Sequence, residues 1–504
     1  MPLTPPAPVP AAPPPLRGTR GAVAAAHPDA AAAASAVLRR GGNAVDAAIA
    51  ASAVICLVMP QAASLGGDLL ALVRRPDATT VAVNGTGTSA SSAPADSWPS
   101  DRWSTGGGAV TVPGLVAAWA ELHDRFGSLP LARALAPAVS LAREGVAVDG
   151  DLAAAVGAQR DRLLAGGAAD WALLDRRPGQ NWRQPALARL LESVGREGPN
   201  AFYTGPAAAA VAEAVRRSGG WLDEDDLGRH TSVVGEPVTV PWAGAQVHVQ
   251  PPSSQGVLLA MALHHLERCG PAAYGLDPRE GPGLAHLLVE LTEAAFGSRA
   301  DCAAGEVLLD RTLEVDPQRA AGRGGPRAYL HTAGVAVADA DGWVVSSLVS
   351  VFDDFGSGVH VPELGLTLNN RAAGFTDGAN APGPGRRPVH TLAPALVEGD
   401  PVLALATPGA DGQVQTLLQL LAAVRYRGLS LAEAVAALRW RTEDGSLLVE
   451  AGHPDHDGLV ARGHRVVDRP AGDPVFGGVV AAGVDVDGPF CVADWRRQVA
   501  AATV

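Results

Sequence analysis

One threonine in this chain is placed to do chemistry. In YLHTAGVAVADADGWVVSSLVS, residues 329–350, apolar and small residues alternate on either side of DADG, so the pattern predicts a β-hairpin entered at Thr332. A threonine hydroxyl needs a base before it can attack anything. No Gly-x-Ser-x-Gly and no His-Glu-x-x-His is present, and no triad is spelled out. Cleavage before Thr332 would itself supply the base. It frees an α-amine with a reference pKa of about 8, suited to taking the hydroxyl proton at neutral pH. Threonine with its own N-terminus is a known nucleophile–base pair. A second stretch fits the same chemistry. TPGADGQ, residues 407–413, joins a predicted buried strand to a helix, so the N–H groups of Gly409 and Ala410 point outward and form a nest for an oxyanion. A strand-starting β-branched residue and a plain tight turn produce the same two patterns, so both readings stay open on spacing alone.

Other candidates read as structure. VAVNGTGTSA carries Gly-x-Gly-x-x-Ala after a strand pattern, but SSAPADSWPS follows where a dinucleotide site needs a helix. HPDHD (453–457) has two histidines and two aspartates, yet no third His or Cys cluster lies nearby, so a loop is expected and no metal site. DEDD (223–226) is the acidic first turn of a helix. His264 and His265 fall within a helical pattern, at least one of them structural.

Composition narrows the field further. The chain has 504 residues, 47% of them apolar but only 4% aromatic, which suits tightly packed helices and sheets rich in alanine. A net charge of −13 without a long acidic run gives no footprint for nucleic acid or an anionic membrane. All 39 basic residues are arginine, which excludes a Schiff-base lysine, a P-loop lysine and a Ser-Lys dyad. Cys56, Cys269, Cys302 and Cys491 are scattered and read as buried small hydrophobes. MPLTPPAPVPAAPPPLRG has neither a charged n-region nor an apolar h-region, and reads as a disordered proline-rich lead over residues 1–18. No run reaches about 18 apolar residues, so a cytoplasmic protein is expected.

The elements that would hold Thr332 are legible in outline. GAVAAAHPDAAAAASAVLRRGGNAVDAAIAASAVICLVMP reads strand, helix, Gly-Gly-Asn turn, helix, with Asp29 as the first cap and Pro60 as the last stop. LLALVRRPDATTVAVNG reads as a hairpin turning at Pro76-Asp77. Residues 115–225 are mainly helical, and 231–250 return to strand. The end is β-rich. One interleaved α+β layer structure fits this order, with parts 19–331 and 332–504. The weakest boundary is 303–331, a Gly- and Arg-rich run that looks like a mobile linker before Thr332.

From about Gly21 onward the sequence resembles the gamma-glutamyltransferase (gamma-glutamyltranspeptidase) family. The helix-hairpin segment at 21–51, SLGGDLLALV, AVTVPGLVAAWAELHDRFGSLPLARALAPAVSLAREGVAV, PPSSQGVLLAMAL, FGSGVHVPELGLTLNNR and ADWRRQVAA occur in the family's order. LNNRAAGF and RRPVHTLAPAL look most like a divergent transferase-like branch. The resemblance implies a four-layer αββα sandwich of the N-terminal-nucleophile hydrolase type with no cofactor. It implies self-cleavage between His331 and Thr332, giving a heterodimer of the chain's own fragments, about 331 and 173 residues long. Thr332 would then carry an acyl ester and pass the acyl group of a small amide or peptide-like substrate to water or an amine. Gly409 and Ala410 match the oxyanion Gly-Gly, and Ser350 falls where the family supports its nucleophile with a hydroxyl.

The departures are as specific as the matches. Ala333 and Gly334 replace the second threonine and the following aromatic or histidine of the cleavage motif. Thr86 or Thr88 stands where the family grips the glutamyl carboxylate with arginine. Phe352 replaces the asparagine near the glutamyl amine, Gly374 replaces the acid after Leu-Asn-Asn, and Arg371 replaces that acid's neighbouring polar residue. His390-Thr391 replaces a serine pair. Each lost charge-assisted bond is worth about 1.5–3 kcal/mol, so glutamyl binding would weaken by orders of magnitude. Three functions follow: an autoprocessed amide hydrolase or acyltransferase; a biosynthetic hydrolase of changed substrate, C–C cleavage included; or an unprocessed, non-catalytic binding protein.

Overall fold

The predicted hairpin forms: Ala333–Asp339 pairs antiparallel with Val344–Ser350, with Ala333 opposite Val349. Asp339 closes the turn between them. Its Oδ1 accepts the N–H groups of Asp341 and Trp343, and its Oδ2 accepts that of Ala44, the first residue of the Ala44–Val58 helix. The carboxylate therefore ties the turn to a helix N-terminus, where the backbone dipoles favour negative charge. The computed structural model describes residues 10–94, 104–279, 281–322 and 332–504. His331 and the end of the expected linker lie outside the described residues.

The hairpin occupies the middle of a seven-stranded sheet. Its neighbours are Gly21–Ala25 on one side and Asp68–Arg74 on the other, and Ala500–Thr503 closes one edge. Chain from both sides of Thr332 therefore interleaves in one sheet. A second seven-stranded sheet runs Leu16–Arg17, Gly488–Ala493, Val480–Asp485, Val402–Ala406, Ala395–Glu398, Ala245–Val249, Val238–Trp242. Strand periodicity assigns the faces. Val335, Val337, Val345 and Val349 pack under the helices Pro28–Arg39, Ala44–Val58 and Leu115–Phe126. Ala336, Ala338, Val344 and Leu348 pack against Ala404, Ala406, Val480 and Ala482 of the second sheet. The outer face of that sheet is covered by the helices Gly256–Cys269, Gly283–Phe296 and Gly412–Arg427. The result is the expected α+β stack of four layers, αββα.

Alanine at the inner positions explains the composition, because small side chains let the two sheets close on each other. Gly334 carries this furthest: a Cβ there would lie 2.9 Å from Val480 Cγ2. Every residue of both hairpin strands is buried, so Thr332 enters a strand fixed from both faces.

Some local expectations are corrected. His27, not Asp29, caps the first helix: its Nδ1 accepts the Asp29 N–H at 3.2 Å. The lead does not extend to residue 18, because Leu16–Arg17 pairs with Phe490–Cys491 and the Arg17 guanidinium bridges Asp485 at 2.7 Å. Cys269, expected inside, is exposed at the last turn of its helix. Among the described residues no helix is long and apolar enough to cross a membrane.

Candidate active site

Thr332 is buried at the start of the central strand and lines a cavity of about 370 Å³. Its Oγ donates to Ser350 Oγ at 3.3 Å, and Ser350 Oγ also accepts the Phe352 N–H at 2.9 Å. The pairing of the two strands brings residues 332 and 350 together, so a hydroxyl beside the threonine follows from hairpin register. Met59, Gln61, Asp149, Asp354, Pro408 and Arg497 are among the residues that share the cavity wall.

Pro408 brings the 407–411 turn to that wall. Gly409 has φ +123° and Ala410 φ +47°. Gly409 O accepts the Gly412 N–H at 2.7 Å, which fixes the peptide plane between Gly409 and Ala410. In a trans peptide the Ala410 N–H then points the opposite way. Gln255 Nε2 donates to Ala410 O at 2.9 Å and to Thr391 O at 2.7 Å, so the turn is braced from behind. Among the described residues neither the Gly409 nor the Ala410 N–H donates a hydrogen bond. Two fixed N–H donors can stabilise a developing oxyanion without reorganising. Left-handed backbone costs an alanine about 1–2 kcal/mol. Ala410→Gly is therefore expected to raise stability by up to about 1 kcal/mol, read as a urea midpoint, with the reaction rate retained.

The residues expected to bind substrate are placed differently. Thr86, Phe352, Arg371, His390 and Thr391 do not line the cavity at Thr332. Four of them form a buried network behind Ser350, because a desolvated guanidinium needs a carboxylate. That carboxylate is Asp68, which pairs across the strands with Ser350. Asp68 Oδ2 accepts Arg371 Nε at 3.3 Å and His390 Nε2 at 3.1 Å, and Oδ1 accepts the Gly114 N–H at 3.3 Å. His390 Nδ1 accepts the Leu392 N–H, so its proton sits on Nε2. Arg371 Nη1 donates to Thr391 Oγ1 at 3.2 Å, and its guanidinium lies 4.5 Å from the Phe352 ring centre. Arg371 Nη2 has no hydrogen-bond partner although it is fully buried. Phe352 has φ +84°, a strained backbone of the kind found at ligand sites. Thr86 is buried apart from these, and Arg387 Nε reaches its carbonyl at 2.8 Å.

Burial and charge act together here. Burial pushes the Asp68 carboxyl up, but the His390 hydrogen bond and the nearby Arg371 outweigh it and hold it below the usual range. Burial pulls Arg371 down to about 10, still charged at neutral pH, and His390 down to about 4. His360 and His453, also buried, are lowered to about 4 mainly by burial. Unfolded imidazoles protonate near 6.5. As pH falls from about 6.5 toward 4 the unfolded chain takes up protons first, so stability falls across that window. Asp339, raised to about 6 by burial, works the other way over part of it, as do Asp353 and Glu443, also raised by burial, but the lowered histidines are more numerous, His230 and His464 also falling to about 4. The urea midpoint is expected to be lower at pH 5 than at pH 7.5; equal midpoints would contradict the buried neutral rings.

Sequence reasoning missed Asp68, Gln255 and Gln61. Asp68 had a signal: an acid opening the otherwise apolar strand DLLALV. Gln255 and Gln61 had none beyond their helix-entry and helix-exit turns.

A four-layer αββα stack around two antiparallel sheets is the fold of the N-terminal-nucleophile hydrolases. The gamma-glutamyltranspeptidase family model matches residues 30–504. The acylase ACY 1 proenzyme of a Pseudomonas species is 32% identical over 535 aligned residues, covering 96% of this chain and 93% of that one. The oxamate amidohydrolase proenzyme of Klebsiella pneumoniae is 30% identical, covering 84% and 85% respectively. Cephalosporin acylase from Bacillus halodurans superposes with a TM-score of 0.87 at 27% identity, over 100% of this chain and 99% of that one. The chain belongs to the gamma-glutamyltranspeptidase family and is an enzyme of its hydrolase and acylase kind.

Proposed function

We propose that the chain is a self-processing amide hydrolase with Thr332 as nucleophile, acting on acyl groups that end in a carboxylate and carry no ammonium. The observation that carries this reading is Thr332 on the wall of a cavity that Pro408 of the 407–411 turn also lines, with the Ser350 hydroxyl 3.3 Å from its Oγ. The names of the acylase and oxamate amidohydrolase relatives, both proenzymes, support it. In the first step Thr332 Oγ attacks the His331 carbonyl and the peptide bond shifts to an ester, leaving a free α-amine on Thr332. Water hydrolyses the ester, and the chain becomes a heterodimer of its two fragments. In each turnover the amine takes the hydroxyl proton, Oγ adds to the amide carbonyl, and the Gly409 and Ala410 N–H groups hold the oxyanion. The amine leaving group departs with that proton. Water, or a second amine, then takes the acyl group from Thr332. Asp149, Asp151 and Asp354 on the cavity wall suit a leaving group or acceptor that carries positive charge.

The acyl preference rests on Arg371. Its unpartnered Nη2 lies behind Ser350 rather than on the cavity wall, where it is the donor that a carboxylate reaching past Thr332 would meet, while the neighbouring Asp68 is already bonded to Arg371 and His390 and Gly374 adds no acid for an ammonium. A glutamyl ammonium would be desolvated beside a guanidinium, a penalty of about 1.5–3 kcal/mol. Purified protein is expected to run as two bands near two-thirds and one-third of the mass, with Thr332 as the new N-terminus. Glutaryl anilide is expected to exceed glutamyl anilide by at least about 10-fold in kcat/KM. A single band that stays whole for days would overturn the reading, and a preference for glutamyl would overturn its acyl half.

A further inference from the structure

Away from the cavity, three side chains with metal-binding atoms converge. His286 and Glu290 lie one turn apart on the Gly283–Phe296 helix, so both project from one face. His464 reaches them from the turn before the Val466–Arg469 strand. His286 Nδ1 lies 2.7 Å from His464 Nε2, and one ligand atom from each of the three residues lies within 4.8 Å of the others. His286 is oriented for this role. Its Nε2 is bonded to Asp316 O at 2.8 Å, so that nitrogen carries the proton and Nδ1 turns its lone pair toward His464 and Glu290. Metal-bound histidines are commonly fixed in this way by a backbone carbonyl on the other ring nitrogen. His286 and Glu290 are buried while His464 is half-buried.

We propose that His286 Nδ1, His464 Nε2 and the Glu290 carboxylate form a site for a zinc-type divalent ion that clamps the chain before Thr332 to the chain after it. Two imidazoles and one carboxylate suit zinc or cobalt rather than magnesium or calcium, which favour all-oxygen shells. A tetrahedral ion with bonds of about 2.0–2.1 Å needs ligand atoms about 3.3 Å apart. The two rings must part slightly and the carboxylate close in, which are side-chain movements on the order of 1 Å. Arg462 stands near both rings, and at His286 Glu290 and Asp316 together outweigh its charge. The ion would also seat the segment before residue 322, because Ala321 N–H donates to Glu290 at 3.2 Å and Ala320 N–H donates to Arg462 O at 2.9 Å. Two ligands precede Thr332 and one follows it. After cleavage the same ion would bridge two separate chains. The ion site stands independently of the proposed nucleophile; its service as a bridge between fragments rests on that reading.

The test uses chelator-treated full-length protein titrated with Zn²⁺, and with Co²⁺ for its visible absorption. One equivalent is expected per chain, insensitive to excess Mg²⁺. His464→Ala and Glu290→Gln are each expected to weaken uptake at least about 100-fold; Glu290→Gln keeps an acceptor for Ala321 and so guards against misfolding. Thr332→Ala, which keeps the chain whole, is expected to bind the ion as wild type does. In wild-type protein Zn²⁺ is expected to raise the urea concentration at which the two fragments separate. Sub-stoichiometric uptake, or uptake unchanged in both ligand variants, would overturn the site. Full uptake by a chain that never cuts itself would retain the site and overturn the bridge. Fragments that form without binding Zn²⁺ would retain the proposed function and overturn the site.

Discussion

Thr332→Ala is expected to leave a single chain of 51.1 kDa and to lower amide hydrolysis by at least about 10³-fold. Both losses have one cause. The same hydroxyl would cut the His331–Thr332 bond and later carry the acyl group, and without the cut no α-amine exists to serve as base. Stability should hardly change, because the hydrogen bond from Oγ to Ser350 is worth only about 0.5–1.5 kcal/mol and the strand beyond it is packed from both faces. Thr332→Ser retains the hydroxyl and is expected to process slowly but completely. Ser350→Ala removes the neighbouring oxygen at 3.3 Å and is expected to lower kcat about 10- to 100-fold with KM little changed. Gel analysis, N-terminal sequencing and initial rates on one preparation distinguish these results. Normal cleavage in Thr332→Ala would eliminate the residue as the nucleophile.

The second large effect is on folding. Asp68→Ala is expected to destabilise the protein by about 3–5 kcal/mol, because it leaves the Arg371 guanidinium buried without a counter-charge. His390 cannot substitute, since its ring is neutral at pH 7 and already donates to the same carboxylate. The double replacement Asp68→Ala with Arg371→Met is expected to lose less than Asp68→Ala alone, because removing both charges removes the desolvation cost of each. Urea midpoints followed by circular dichroism measure all three variants. A loss below about 1 kcal/mol for Asp68→Ala would mean that water reaches Arg371. The carboxyl is held below its usual range in the fold, so its contribution is complete above the unfolded value of about 3.9 and is lost as pH falls through the folded one.

The hairpin at Thr332, the Pro76-Asp77 turn and the strand-to-helix turn at 407–413 were all legible in the sequence. Each depends on contacts within about twenty residues, and local pattern and turn chemistry specify those directly. The same holds for the neighbourhood of Thr332 and Ser350, which strand register brings together. Arginine content ruled out lysine chemistry, and motif order pointed to the family. None of this revealed what the other expected site residues would touch. Arg371 and Asp68 lie 303 residues apart, His390 and Asp68 322 apart, and His286 and His464 178 apart. Strand period decides which residues share a face but not which strand becomes the neighbour. That choice belongs to the sheet order, in which Val344–Ser350 lies beside Asp68–Arg74 and so puts a buried carboxylate opposite Ser350. Sequence located the proposed nucleophile and the turn beside it, because both are local. Only the tertiary structure decided which charges stand behind them, because a buried ion is paired by whatever the fold brings within about 4 Å.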